Sequence, residues 1–321
     1  MFKTKENLPN GEARPRDQSW IVEYPADSFN SDLAHGFPKV VSGRTPVRTN
    51  ETVVRSGRIW ADKVEKSKGA ARPGNLLRYD GLEEDIKEGV PVIALSVMSY
   101  PDYIAVNGSL NNNGDTFNEQ FFPYDYEING NVIVPKIPRA EMLCSAFAFG
   151  VLVRTLDDKF AYLVRGSNVL EYQNKRSMPS GGQMGGDPQD FLIEAVNSSP
   201  NYAFEHNLAA VLVREFPGLE RSQVIGKKFL GVARQLDLLD MVAISYARVD
   251  EFSFNLKPTE GKYSRIGFVP STKDGLVELL QEGTLELFPA SIQPVIALGS
   301  AYLGVDPTEV RPDKITTVYD K

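Results

Sequence analysis

Ala146-Phe-Ala-Phe-Gly-Val-Leu-Val-Arg154, a turn at Asp157-Asp-Lys159, and Phe160-Ala-Tyr-Leu-Val-Arg165 form the stretch from which the fold is read. Two apolar runs rich in aromatic and β-branched residues flank a short acidic turn, the pattern of a β-hairpin. The first run belongs to the richest apolar segment of the chain, Met142 to Val153, which predicts a buried strand and is too short to span a membrane.

Working outward toward the carboxyl end, Ser177-Met-Pro-Ser-Gly-Gly182 leads into an acidic, glycine-rich stretch and then a helix expected from about Ala203 to Phe216. Leu208, Val211, Leu212 and Glu215 fall at i, i+3, i+4 and i+7, so one face is apolar with a carboxylate at its end. Pro217 and Gly218 stop that helix. Strands are expected at Phe229–Arg234 and Met241–Ala247, and helices at Lys273–Gln281 and Ala290–Leu303. Toward the amino end, Val90 to Met98 is a continuous apolar run that predicts a buried strand. A long loop holding Ser99 to Tyr103 and Asn111 to Asp115 follows, then a short strand near Asn131–Pro135. Residues 1–75 are polar and Pro-rich with scattered apolars and predict an extended or irregular arm, in which Trp20–Tyr24 and Thr52–Trp60 are expected to anchor as short strands. The class is α/β (α+β), a sandwich of sheet and helices. The organisation expected is an arm over 1–75, a β-rich region over 76–139, the sandwich over 140–305 and a tail over 306–321.

Composition limits the chemistry. A length of 321 residues at about 100–200 per domain allows one large or two modest domains. The net charge of −7, with 35 basic against 42 acidic residues, argues against a general nucleic-acid partner, which needs a basic surface to displace counterions. No apolar run reaches membrane length, and Met1 to Arg16 is polar and charged, so neither a span nor a secretory signal is expected and the placement expected is cytoplasmic. A single cysteine, Cys144, excludes an internal disulfide framework and reads as a small buried hydrophobe. Two histidines far apart, His35 and His206, remove support for His-rich metal sites and for most His-based triads. What remains is carboxylate, Arg, Lys, Tyr, backbone-amide or hard-metal chemistry.

Strand, Asp turn, strand ending in Arg, Pro-x-Gly-Gly, helix ending in Arg-Glu, then strand: this order resembles a Nudix domain. The resemblance covers roughly residues 76–305 and is greatest to a divergent branch that hydrolyses UDP-sugars. Tyr100-Pro-Asp-Tyr103 with Asn107, Arg165-Gly-Ser-Asn-Val-Leu-Glu171, Pro179-Ser-Gly-Gly-Gln183 and Leu230-Gly-Val-Ala-Arg234 each resemble a segment of that branch, with Ser180 and Gln183 departing from it. It implies a Nudix-like α/β/α sandwich and a divalent cation, Mg²⁺ or Mn²⁺, held by carboxylates on one helix face beside a pyrophosphate.

The family pattern is Gly-x5-Glu-x7-Arg-Glu-U-x-Glu-Glu-x-Gly-U, with U apolar. Arg214-Glu215-Phe216 matches Arg-Glu-U, but Gly218 and Leu219 stand where the next two glutamates belong. Arg221 replaces the later glycine and His206 the first glutamate, with Glu205 one position off. Two readings follow. In the first, a rebuilt site hydrolyses a nucleoside diphosphate linked to another group, UDP-sugar-like. There Glu215 is catalytic base or metal ligand, and Glu220 and Asp187 are substitute metal ligands. Arg165 neutralises phosphate, Tyr100 and Tyr103 stack on base or sugar, and the Gly181-Gly182 backbone approaches the phosphate. In the second, the domain has lost hydrolysis and binds a nucleotide-like ligand or a protein partner. In both, the expected small-molecule partner is a nucleotide derivative, with neither nucleic acid nor membrane involved.

Overall fold

The computed structural model describes residues 20–25, 38–43, 50–66, 74–85, 90–106, 125–129, 132–136, 145–167, 174–181, 188–198, 200–235, 240–280, 295–296, 299–300 and 302–305. Gly182, Asp187, Asn107, the Asn111–Asp115 loop and Cys144 lie outside them, as does much of the helix expected over Ala290–Leu303. In chain order the elements are β1 (Trp20–Pro25), β2 (Lys39–Ser42), α1 (Asn50–Lys66), β3 (Asn75–Asp85), β4 (Val90–Ser99) and α2 (Tyr100–Val106). A small hairpin, β5 (Asp125–Asn129) and β6 (Val132–Lys136), comes next. Then follow β7 (Phe147–Arg154), β8 (Lys159–Arg165), β9 (Arg176–Ser177), β10 (Ser180–Gly181), α3 (Pro188–Asn197) and α4 (Pro200–Glu215). The remaining elements are β11 (Val224–Gln235), β12 (Met241–Val249), β13 (Tyr263–Pro270) and α5 (Lys273–Leu280).

The main sheet runs β1-β11-β12-β7-β8-β13, with β7 and β12 parallel and the other neighbours antiparallel. Strand β7 is buried on both faces because layers cover it from both sides. Phe147, Phe149, Val151 and Val153 meet Phe204, Leu208, Val211 and Leu212 of α4 in one core. Leu152 points the other way and joins Phe160, Ile244, Leu276, Leu279, Val295 and Ile296 in a second core. Alternate residues of one strand thus feed two cores, as the period of two dictates. The result is the α/β/α sandwich that the resemblance implies. Gly150 permits the second layer to close, since a Cβ there would lie 2.8 Å from a Val295 methyl.

The hairpin of β7 and β8 pairs only beside its turn, at Val153–Ala161 and Arg154–Phe160, and then forks. Strands β9 and β10 fill the fork: Ser177 and Arg176 pair with Leu163 and Val164, while Ser180 and Gly181 pair with Gly150 and Phe149. The Val151 amide donates to the Pro179 carbonyl at 3.0 Å, and Met178 between the two short strands is fully buried. The Pro-Ser-Gly-Gly segment is therefore built into the sheet at Pro179 to Gly181.

A second sheet, β2-β4-β3, adds Val40, Leu77, Tyr79, Ile93 and Leu95 to the same core as α4. Asp240 ties this part to the main sheet, accepting from the Tyr103 hydroxyl at 2.7 Å and from the Ala146 amide at 3.0 Å.

Two expectations are corrected here. Thr52–Trp60 is not a strand but part of the 17-residue helix α1. Its adjacent valines, which read as strand formers, lie on the open side, with Val54 71% exposed. Arg55 is turned inward, and its Nε donates to the Ala105 carbonyl at 2.8 Å. Packing on α2 overrides β-propensity. Ser99 to Tyr103 is likewise not a loop, since α2 begins at Tyr100. Ser99 caps it: the Asp102 amide donates to Ser99 Oγ at 3.2 Å, and Ser99 Oγ donates to Asp102 Oδ2 at 2.7 Å. Ser99→Ala is expected to lower stability by about 1 kcal/mol, measured by urea denaturation.

Candidate functional site

Helix α4 ends at Glu215, and the end is sharp. Pro217 cannot continue it, and Gly218 takes φ +99°, a left-handed conformation that favours glycine. The Leu219 amide returns to the Phe216 carbonyl at 3.0 Å, burying Leu219 in the core. The last carbonyls of the helix find partners in the loop before β13. Thr259 donates its amide to the Glu215 carbonyl at 3.1 Å and its hydroxyl to the Arg214 carbonyl.

The Glu215 side chain is fully buried, and charge surrounds it. Lys262 Nζ donates to Oε1 at 2.7 Å and to Oε2 at 2.8 Å. Arg214 donates to Oε1 from Nε at 3.2 Å and from Nη2 at 3.1 Å. Burial is the chief cause that pulls the Lys262 pKa below its ordinary value, and the neighbouring Arg214 and Arg165 cations add to it while Glu215 opposes. The Tyr263 phenol, buried beside the same carboxylate, is pushed well above its ordinary value by burial first and by Glu215 second. Arg165 reaches this cluster because it pairs in register with Tyr263 across β8 and β13. The neighbouring Gly166 amide donates to the Lys262 carbonyl at 2.9 Å. Among the described residues, three cations and one carboxylate therefore share the end of α4. Lys262 and Arg214 keep about a third of their side chains open to solvent, at 33% and 34%.

The other residues expected at a site fall as follows. Glu220 is exposed and precedes the 3-10 turn Arg221–Gln223, its carbonyl accepting from the Gln223 amide at 3.0 Å while its own amide donates to Gln223 Oε1 at 2.8 Å. His206 stacks on Tyr202 and touches Arg221. Tyr100 and Tyr103 stack on one another with centroids 6.0 Å apart, and Tyr100 meets Trp60 edge-on at 6.2 Å, so the Tyr100 ring takes part in joining α1 and α2. Gly181 lies in β10, paired with Phe149. Gly182 and Asp187 are outside the described residues.

The donor set of the described residues does not fit Mg²⁺ or Mn²⁺. That chemistry asks for several converging oxygens with negative charge to spare. Here both Glu215 oxygens are held by ammonium and guanidinium groups, Leu219 brings a buried hydrocarbon, and Gly218 brings no side chain. Among the described residues no group of three His, Cys, Asp or Glu side chains gathers at one point. Lys262 was not legible as a site residue. It lies 47 positions from Glu215, and the strand that carries its neighbour, β13, has only a weak apolar pattern over Tyr263–Val269.

No family model matches the chain, and no curated protein matches it. Among solved structures, similarity is found to the NUDIX domain of Shewanella oneidensis NrtR complexed with ADP ribose, at 13% identity and a TM-score of 0.31, covering 50% of this chain and 88% of that one. DR0079 from Deinococcus radiodurans is similar at 12% identity and a TM-score of 0.34, covering 53% of this chain and 93% of that one. RenU, a Nudix hydrolase from M. smegmatis, is similar at 14% identity and a TM-score of 0.31, covering 49% and 83%. Among the described residues no helix is long and apolar enough to cross a membrane.

Proposed function

We propose that this chain is a Nudix-like module that binds a nucleotide-derived anion at the end of α4 without hydrolysing it. The observation that carries this reading is the state of Glu215. A buried carboxylate whose Oε1 accepts from Lys262 and Arg214 and whose Oε2 accepts from Lys262 already has its charge compensated, and the fixed positive charges beside it repel a dication. The same arrangement suits an anion. Among the described residues Arg165, Arg214 and Lys262 gather around this carboxylate, and a diphosphate placed over the solvent-facing parts of Arg214 and Lys262 would meet charge-assisted donors. Glu215 then acts as a positioning residue that holds the cations in place. The ligand class is a nucleoside diphosphate derivative of the UDP-sugar kind.

The test is a phosphate-release assay over a panel of UDP-sugars and related nucleoside diphosphates, with Mg²⁺, Mn²⁺ or chelator, beside thermal melts with the same compounds. The expected result is no metal-dependent turnover and a raised melting temperature with at least one compound, a rise that Arg165→Ala removes. Metal-dependent turnover that falls ~100-fold in Glu215→Gln, about 2.7 kcal/mol of barrier, would instead establish a pyrophosphatase that brings in Asp187 and Glu220. No turnover and no melting shift with any nucleotide would overturn both.

A further inference from the structure

The face of the sheet away from α4 carries a second concentration of positive charge, separate from the Glu215 cluster. Arg154 of β7 and Arg248 of β12 stand side by side in the parallel register. Lys228 of β11 pairs with Tyr246, two residues before Arg248 on β12, so it shares the face of both arginines. Adjacent strands lie about 4.8 Å apart. Arg154 and Arg248 lie directly opposite one another and Lys228 lies diagonal to Arg248, and like charges directly opposite in a sheet are unfavourable unless something negative lies between them.

The neutralisation present is incomplete. Asp158 meets Arg154, with Nη2 to Oδ1 at 2.8 Å and Nε to Oδ1 at 3.0 Å, and that pair is exposed. The Arg154 side chain also engages the Tyr246 hydroxyl. Arg248 differs: its Nε is buried with no hydrogen-bond partner. Among the described residues neither Arg248 nor Lys228 enters an ion pair. A guanidinium nitrogen that is out of water and unbonded loses its desolvation energy without return, a loss of about 1–3 kcal/mol for an ordinary polar group and more for a charged one. A left-handed bulge at Gly226, φ +56°, brings β11 against Arg248, where a Cβ on Gly226 would lie 3.6 Å from the arginine Cβ. Beside the row, Tyr302 is tilted against Tyr246 with centroids 5.1 Å apart, an aromatic wall at its edge.

From this juxtaposition we infer that Lys228, Arg248 and Arg154 form a binding site for a phosphate group at the rim of the sheet. The guanidinium of Arg248 supplies a planar fork of donors, Lys228 a mobile ammonium, and Arg154 a third charge already oriented by Asp158. A dianion fits where, among the described residues, three cations face one carboxylate, and it would compensate an Arg248 guanidinium whose buried Nε has no partner. The site does not depend on the fate of the Glu215 cluster, which lies on the α4 side of the sheet.

The test is calorimetric titration of the full chain with inorganic phosphate at constant ionic strength, using chloride as the reference salt. Wild type is compared with Arg248→Gln and Lys228→Gln, and with Lys257→Gln as a control outside the row. The expected result is saturable binding by wild type and the control, weakened at least tenfold in each of the two variants. Should Arg248→Gln fail to fold, as judged by circular dichroism, Lys228→Gln decides. Absence of saturable phosphate binding by the wild type, or wild-type affinity retained in both Lys228→Gln and Arg248→Gln, overturns the proposal. Arg165→Ala serves as a further control: loss of phosphate binding there, with Arg248→Gln unaffected, assigns the anion to the Glu215 cluster instead.

Discussion

Lys262→Met is expected to lower the unfolding free energy by about 3 kcal/mol, read from urea denaturation at neutral pH. Removing one partner of a buried ion pair costs about 3–5 kcal/mol because the other charge is left uncompensated. Here the value lies at the lower end, since Lys262 is a third exposed and Arg214 still reaches Oε1. Adding Glu215→Leu to the Lys262 variant is expected to recover most of the loss, because the uncompensated carboxylate is then gone. If Lys262→Met proves neutral, Glu215 is not held as an anion by this lysine and the binding-module reading loses its support.

The same pair has a pH signature. Lys262 has a folded pKa below its ordinary value of 10.5, so within the window between the two the unfolded chain binds more protons than the folded one. Stability from this group therefore rises with pH across that window, and Lys262→Met flattens the rise. Tyr263 acts in the opposite sense at higher pH. Its folded pKa lies above the ordinary 10.0, so its contribution is full below about pH 10 and is lost as pH rises toward the folded value. The lysine effect is thus read below pH 10, before the tyrosine begins to titrate.

Phe204→Ala is expected to cost about 3–5 kcal/mol and to lower the denaturation midpoint without changing the fold of what remains. Phe204 is fully buried and meets three other rings edge-on: Phe147 at 6.3 Å, Phe149 at 5.6 Å and Phe191 at 6.2 Å between centroids. These rings belong to β7, α3 and α4, so the cavity would open where strand and helices meet. Edge-to-face pairs add about 0.5–1.5 kcal/mol beyond burial, which puts the expected value in the upper half of the range. A loss under 1 kcal/mol would mean that α4 does not dock on β7 through this cluster.

Strands with long apolar runs and punctuated ends are legible along the chain. Val90 to Met98, the hairpin around Asp157 and the helix ending at Pro217-Gly218 were legible because periodicity and turn chemistry act locally. That Gly218 and Leu219, just past the end of that helix, supply no carboxylate was legible too. Ser99-Tyr-Pro-Asp102 carries a helix-start signal, serine followed three residues later by an acid. Only the tertiary structure decided that Thr52–Trp60 is helical, because the deciding contact is Arg55 on Ala105 and not the valines. It also decided the fate of Glu215. The lysine that holds it comes from 47 positions away, and the three cations of the opposite face come from three strands, so no local pattern places them. Charge pairing depends on distance in space, and a sequence records only distance along the chain.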